Sequence, residues 1–87
     1  MRRRIRVKRF VYVLRNTEAW PRYYVGVTED VGRRVADHNA GRCPHTAKYR
    51  PWQPHVVIAF TTEGAAVTFE RYLKSGSGRA FAKRHFG

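Results

Sequence analysis

The chain has 87 residues, which is enough for one domain with one modest hydrophobic core. Lysine and arginine total 18 against 6 acidic residues, so the formal net charge is +12 and the pI is near 11.1. Such a chain repels itself unless a polyanion is present, which makes nucleic acid the first partner to consider. Charge alone would fit a ribosomal or chromatin-type structural protein equally well.

The composition also bears on location. Cys43 is the single cysteine, so no internal disulfide can form, which favours a reducing compartment and predicts a cytoplasmic protein. Residues 1–9 are basic but lack the apolar region of a secretory signal, and no apolar run reaches membrane-spanning length. We therefore expect no membrane partner, and the sequence indicates no oligomeric state. Residues 1–7 are predicted to be a basic N-terminal arm, either a disordered tail or an arm along phosphates, before a single domain over residues 8–87.

Three apolar segments predict β-strands, over residues 10–14, 23–28 and 55–60. The first is apolar on both faces, as expected of a central strand that is covered on both sides. Residues 16–22 contain Asn, Pro and Trp and predict a loop short enough to join the first two strands in a hairpin.

A helix is predicted directly after the second strand. Thr28 is its expected N-cap, with Glu29 and Asp30 favourably placed in the first turn. The pattern continues to about Ala40, and Gly41 is expected to end the helix.

The rest of the chain predicts an irregular connection, a strand and two further helices. Residues 42–54 are basic and proline-rich and predict the irregular connection before the third strand. Thr62 opens a second helix that runs to about Lys74, residues 75–78 are expected to break it, and residues 79–86 predict a last short helix. The order β-β-α-β-α, with that last helix, predicts an α+β fold with a small three-stranded, mainly antiparallel sheet flanked by helices.

The two predicted hairpin strands each carry a tyrosine of interest. Tyr24 and Gly26 share one face of the second strand, where a glycine leaves room for a ligand to approach the backbone. Half of the available hairpin registers place Tyr12 on the same face as Tyr24. Otherwise both tyrosines are ordinary core aromatics with satisfied hydroxyl groups.

The first helix offers a cation beside its packing face. Val31 and Val35 mark the buried stripe, and Arg34 and His38 border it one turn apart. An arginine on a packing face needs an anionic partner, and a phosphate would supply one in bidentate geometry. The alternative is that Arg34 reaches to water or pairs with Glu70.

The second helix carries the one acidic residue with a plausible catalytic placement, Glu70. It flanks a predicted buried stripe and is either a solvated residue supported by Lys74 at i+4 or a hard oxygen ligand for Mg²⁺. The predicted buried stripe consists of Ala65, Ala66, Phe69, Tyr72 and Leu73.

Taken together, these residues resemble the GIY-YIG nuclease family. Residues 11–13, Val-Tyr-Val, resemble its first motif, and residues 24–26, Tyr-Val-Gly, resemble its second after ten intervening residues. Arg34 follows Tyr24 by ten positions, as the catalytic arginine of the family does, and His38 follows four later. Glu70 lies where the family keeps its metal-binding glutamate.

Further segments resemble the small stand-alone bacterial members of that family, namely residues 37–41, Thr46 followed by residues 50–52, and residues 74–81. The chain departs from the family in two places. Phe10 and Val11 replace the Gly and Ile of the first motif, and Ala82 and Lys83 occupy the region where members often carry an Asn.

The resemblance implies a metal-dependent endonuclease that hydrolyses phosphodiester bonds, with DNA expected as the substrate and RNA as the alternative. It implies that Glu70 holds Mg²⁺ or Mn²⁺, that Arg34 stabilises transition-state charge, and that Tyr12 or Tyr24 is the general base. His38 would tune a tyrosine or contact phosphate. The competing interpretations are a non-catalytic nucleic-acid-binding module on the same scaffold and a ribosome-associated structural protein. Residues expected to contact the nucleic acid are Arg33, Arg42, His45, Lys48, Arg50, Arg79 and Lys83.

Overall fold

The computed structural model describes Val7 and residues 9–87, so the predicted N-terminal arm lies outside the described residues apart from Val7. The elements in chain order are β1 (Arg9–Asn16), β2 (Tyr23–Thr28), α1 (Val31–Asn39), a short 3₁₀ turn (Ala47–Tyr49), β3 (Trp52–Phe60), α2 (Glu63–Leu73) and α3 (Gly76–Phe86). The predicted α+β class and order of elements are confirmed. No helix in the described part of the chain has the length and apolar character needed to cross a membrane.

The sheet has three antiparallel strands in the order β2-β1-β3. The predicted central strand, β1, is indeed covered on both faces. In the β1–β2 hairpin, Tyr12 lies opposite Gly26 and Leu14 lies opposite Tyr24. This register places Tyr12 and Tyr24 on the same face of the sheet.

The alternating side chains of β1 enter two separate cores. On one face, Val11 and Val13 pack with Ala66 and Leu73 of α2 and with phenylalanines of α2 and α3. On the other face, Tyr12 and Leu14 pack with Trp52, Tyr24 and the two valines of α1. Helix α1 therefore covers the tyrosine face, whereas α2 and α3 cover the opposite face.

The expected N-cap of the first helix is wrong. Asp30, rather than Thr28, caps α1, because its carboxylate accepts a hydrogen bond from the backbone N–H of Arg33 at 3.0 Å. Thr28 still ends β2, and its hydroxyl accepts from the backbone N–H of Asp30 at 3.1 Å. Gly41 follows the helix with a positive φ of 78°, as expected for a helix end.

The third strand begins three residues earlier than predicted, at Trp52, and includes Pro54. A proline is tolerated there because β3 is an edge strand, and the β1–β3 register shifts beside its partner Leu14. The predicted irregular connection therefore ends before Trp52.

Two expectations for the C-terminal helices are also wrong. Helix α2 ends at Leu73, close to the predicted Lys74, but the predicted break over residues 75–78 is too long. Instead the Ser75 hydroxyl accepts from the N–H of Gly78 at 3.1 Å and caps α3, which starts at Gly76. In α2, Ala66 and Leu73 are buried as expected, but Ala65 and Tyr72 are exposed.

Candidate active site

Tyr12 and Gly26 fit together across the β1–β2 hairpin. A Cβ atom built on Gly26 would lie 2.5 Å from the Tyr12 hydroxyl oxygen, so only glycine lets the phenol lie over β2. The space above Gly26 is therefore occupied by Tyr12. The expectation that this space admits a ligand is wrong.

A buried chain of hydrogen bonds extends from Tyr12 through α1 to the connection before β3. The Tyr12 hydroxyl lies 3.0 Å from His38 Nε2, and His38 Nδ1 lies 2.7 Å from the Thr46 hydroxyl. The Thr46 hydroxyl also donates to the carbonyl of Cys43 at 3.3 Å. His38 has no exposed surface, so its neighbours are the tyrosine and the threonine, and it cannot reach a phosphate in solution.

Burial dominates the protonation of this pair. It raises the pKa of Tyr12 to about 12, with the neighbouring Tyr24 acting in the same direction and Arg34 opposing. Burial also lowers the pKa of His38, and the positive charge of Arg34 adds to that effect. Both side chains are therefore neutral near pH 7.

Tyr24 and Arg34 lie at the surface beside this buried pair. The partly exposed Tyr24 ring lies 6.2 Å from the Tyr12 ring and 4.8 Å from the His38 ring, between centroids. The Arg34 side chain is 38% exposed and pairs with Asp37 at 3.7 Å. Its acidic partner is thus Asp37 of its own helix, and the alternative pairing with Glu70 is wrong.

Asp37 holds a second arginine, Arg42, at 2.8 Å, and that hydrogen bond lowers the pKa of the Asp37 carboxyl group. The Asp37 carboxylate therefore pairs with Arg34, while the guanidinium of Arg34 stays accessible to solvent. Tyr24 and Arg34 thus place a partly exposed phenol and an accessible cation next to Tyr12, which suits binding and activation at a phosphate group.

Glu70 lies on α2, which covers the opposite face of the sheet. Its side chain is 23% exposed, and Lys74 is its hydrogen-bonding partner at 2.9 Å. No hydrogen bond joins Glu70 to the tyrosines, Arg34 or His38 in the described part of the chain. Lys74 and Tyr24 nevertheless line one groove on the α2–α3 side of the sheet, which brings the end of α2 near β2.

At Glu70, a divalent ion would be bound by a single protein carboxylate. Among residues 7 and 9–87, no group of three or more His, Cys, Asp or Glu side chains is placed to hold a metal ion. Mg²⁺ commonly binds through one or two carboxylates and completes its shell with water and substrate phosphate oxygens. The partly exposed carboxylate of Glu70, with one oxygen held by Lys74, fits a sparse site of that kind.

The predicted nucleic-acid-binding residues fall into two groups. Arg79 and Lys83 lie on α3 and line the groove on the α2–α3 side of the sheet. The others are exposed residues of α1 and of the connection to β3, on the tyrosine side of the sheet: Arg33, Arg42, His45, Lys48 and Arg50.

The sequence assigned no role in the site to several residues that the structure places there. Thr46 completes the buried chain from Tyr12, and Asn39 ties α1 to β3 by two hydrogen bonds to the backbone of Trp52. Trp20 and Lys74 line the groove beside Tyr24. The contacts of Thr46 and Asn39 span 8 and 13 residues, so no local spacing points to them.

Comparison with known proteins agrees with this geometry. The family model of the GIY-YIG catalytic domain matches residues 8–84. The UPF0213 proteins lwe0147 of Listeria welshimeri and lin0209 of Listeria innocua are each 41% identical over 66 residues, covering 75% of this chain and 71% of each relative. The structure-specific endonuclease subunit SLX1 of Ajellomyces capsulatus is 34% identical over 65 residues, covering 68% of this chain but 15% of that larger protein.

No solved structure matches the chain significantly. The family match extends over β1, β2, α1, β3 and α2 and so includes the tyrosines, Arg34, His38 and Glu70. The chain therefore belongs to the GIY-YIG family, and the predicted enzyme class, a GIY-YIG-type endonuclease, is confirmed.

Proposed function

We propose that this protein hydrolyses phosphodiester bonds of DNA with the help of one divalent ion, Mg²⁺ or Mn²⁺. The observation that supports this best is that Tyr24 and Arg34, both partly exposed, lie beside the buried Tyr12–His38 pair. A formal charge of +12 favours a polyanionic substrate around that pair.

Tyr24 is the better candidate for the general base. Tyr12 is 1% exposed and its pKa is raised to about 12, so it neither meets bulk water nor ionises readily near neutral pH. Tyr24 is partly exposed and therefore meets water, and its ring lies beside the buried Tyr12–His38 pair.

Tyr12 and His38 position the reacting groups. With the His38 proton on Nδ1, Tyr12 donates to Nε2, Nδ1 donates to Thr46, and Thr46 donates to the carbonyl of Cys43. Every donor in this chain then has an acceptor, which keeps the imidazole neutral and the Tyr12 ring fixed. The oxygen of Tyr12 remains able to accept a hydrogen bond from Arg34.

Arg34 would bind the scissile phosphate and stabilise the extra negative charge of the transition state. Its ion pair with Asp37 limits the conformations of the side chain before substrate binds. Glu70 would hold the divalent ion, which supplies charge neutralisation at the phosphate and the leaving oxygen. We place this activity in the cytoplasm, in keeping with the single free cysteine.

The test is cleavage of labelled single-stranded, duplex, flapped and branched DNA and RNA with Mg²⁺ or Mn²⁺. Wild type would be compared with Arg34→Ala and Glu70→Ala, and binding would be measured in the same reactions. Arg71→Ala, which removes an exposed cation of α2 outside the site, is the matched control. We expect wild type and the control to cut, and both site variants to bind without cutting.

The main rival is a non-catalytic nucleic-acid-binding module on this scaffold. It predicts that all four proteins bind alike and that none cuts any substrate with either metal. Cleavage of RNA but not DNA would keep the nuclease and reject the DNA assignment.

A further inference from the structure

A large groove lies on the α2–α3 side of the sheet, lined by residues of all three strands, of the β1–β2 loop and of the two helices. Its volume is about 790 Å³, within the range of about 300–1,000 Å³ typical of ligand sites. Apolar and aromatic side chains form most of the wall, including Trp20 and Tyr23 from the hairpin and Phe86 from α3. Such a wall suits flat apolar groups better than a bare phosphate backbone.

The charged residues of this groove all have the same sign. Lys74, Arg79 and Lys83 line it, and no acidic side chain does. Lys74 is partly neutralised by Glu70, whereas no ion pair of Arg79 or Lys83 exists among the described residues. The lining of the groove therefore matches a ligand that is both anionic and aromatic.

Trp20 lies at the groove on the loop between β1 and β2, and hydrogen bonds anchor the base of that loop. Its side chain is 90% exposed, in contrast to the buried Trp52. The loop is closed at its base by Asn16, which bonds the backbone N–H and the carbonyl of Arg22, and Arg22 lies over the Tyr49 ring at 4.0 Å. An exposed indole on a fixed loop presents a stacking surface at low entropic cost.

We propose that this groove is a subsite for unpaired nucleotides of a nucleic-acid strand. Bases stack on Trp20 and Tyr23, and the phosphates between them pair with Arg79 and Lys83. Unpaired bases are required because a duplex hides the faces of its bases, whereas a single strand exposes them. The other basic surface lies on α1 and the connection to β3, where Arg22 and Lys48 cover the ring of Tyr49, and it suits a paired backbone.

Tyr24 links the groove to the candidate active site, since it lines the groove and also contacts His38. This part of the inference rests on the proposed function. It implies that the strand in the groove runs past Tyr24, so that the cleaved phosphate lies next to unpaired nucleotides. We therefore expect substrates with a single-stranded segment to be preferred over a continuous duplex.

Binding can be tested without cleavage, in buffer that contains EDTA. Wild type, Trp20→Ala, Trp20→Phe and Lys83→Ala would each be titrated with three probes. The probes are a single-stranded thymidine oligonucleotide, an abasic strand of the same length, and a duplex. Arg84→Ala is the control, because Arg84 is the next cation on α3 and does not line the groove. Circular dichroism would show that each variant folds, which we expect because Trp20 contributes nothing to the core.

We expect the thymidine strand to quench the fluorescence of Trp20 and Trp20→Ala to weaken its binding about tenfold or more. Trp20→Phe should retain most of the affinity because it still stacks. Binding of the duplex and of the strand without bases should be the same for wild type and Trp20→Ala. Lys83→Ala should weaken binding of both single strands, and Arg84→Ala should weaken them less.

Equal binding of the thymidine strand by wild type and Trp20→Ala would overturn the proposal. So would equal quenching by the duplex, or a dimer that Trp20→Ala dissociates, since the groove would then bind a second copy of the chain. If the binding results hold and wild type cuts no substrate, the proposed function fails while the subsite stands.

Discussion

The phenol of Tyr12 and the bare backbone of Gly26 form one structural unit, although 14 positions separate them. Gly26→Ala would force the Tyr12 hydroxyl away, because the new Cβ would lie 2.5 Å from it. We expect a loss of about 1–3 kcal/mol in the free energy of unfolding, as for other overpacked sites, and a slower cleavage rate. Urea unfolding and single-turnover cleavage measure the two effects.

Gly32→Ala is the matched control in α1. A Cβ there meets nothing closer than the Asp30 carboxylate at 3.7 Å, and alanine favours a helix over glycine. Its stability should equal or exceed that of wild type. Equal stability and activity of Gly26→Ala and wild type would show that the Tyr12 ring is not fixed by this contact.

His38 predicts a pH dependence of stability. Its folded-state pKa is lowered from 6.5, so the folded protein binds a proton at this site less readily than the unfolded chain does. The contribution to stability is therefore complete above pH 6.5 and is lost as the pH falls below it. Asp37 also has a lowered pKa, but its ordinary value of 3.8 places its effect at lower pH.

Urea unfolding between pH 7.5 and pH 5 measures this effect, with His38→Asn as the variant that does not titrate there. We expect wild type to lose stability more steeply than the variant as the pH falls, whatever their absolute stabilities. Parallel curves would mean that the buried imidazole is not the titrating group.

At the level of elements, the strands were predictable because apolar and β-branched residues mark them, and the order of elements followed. The start of β3 was not predictable. A strand tolerates Pro54 because β3 lies at the edge of the sheet, and the position of a strand in the sheet is a property of the topology. The start of α3 was missed for a related reason. Gly76-Ser77-Gly78 has the composition of a helix stop, and only the contact of α3 with α2 explains the glycine at position 78.

Gly78 makes this contact between α3 and α2. It is buried, and a Cβ there would collide with the backbone carbonyl of Tyr72 and with Leu73. Since backbone cannot yield as a side chain does, Gly78→Ala should separate α3 from α2 and cost about 1–3 kcal/mol or more. Thermal unfolding measures the loss.

Gly76→Ala supplies the control for that change, because nothing lies within 4 Å of a Cβ at this position. It should be neutral or slightly stabilising. Similar melting temperatures for the two variants would show that the two helices do not depend on this close approach.

The candidate site was predictable only in part. The spacing of Tyr12, Tyr24 and Arg34 located them because a hairpin and the helix after it are local structures. The full burial of His38 and its bond to Thr46 depend on how the connection before β3 folds back over α1, which no residue spacing encodes. The groove was missed because its wall combines three distant segments of the chain.

At the scale of the whole molecule, the positive charge surrounds the site and predicts salt-sensitive binding. Arg33 is an exposed cation of α1 with no ion pair among the described residues, unlike Arg42, which helps to hold Asp37. If Arg33 contacts a phosphate, Arg33→Ala should reduce the slope of log K against log salt by about 0.9 for duplex DNA. Binding titrations over a range of salt concentrations measure the slope, with Arg71→Ala as the exposed control. An unchanged slope would place Arg33 outside the interface.

The most direct test of the catalytic account is the single-turnover cleavage rate of wild type and Tyr24→Phe, with Mg²⁺ and enzyme in excess over a flapped DNA. The substitution removes one hydroxyl from a partly exposed ring, so folding and binding should be unchanged. We expect the rate to fall about 10²–10⁴-fold, the usual contribution of a general base. Cleavage by Tyr24→Phe at the wild-type rate would contradict the account.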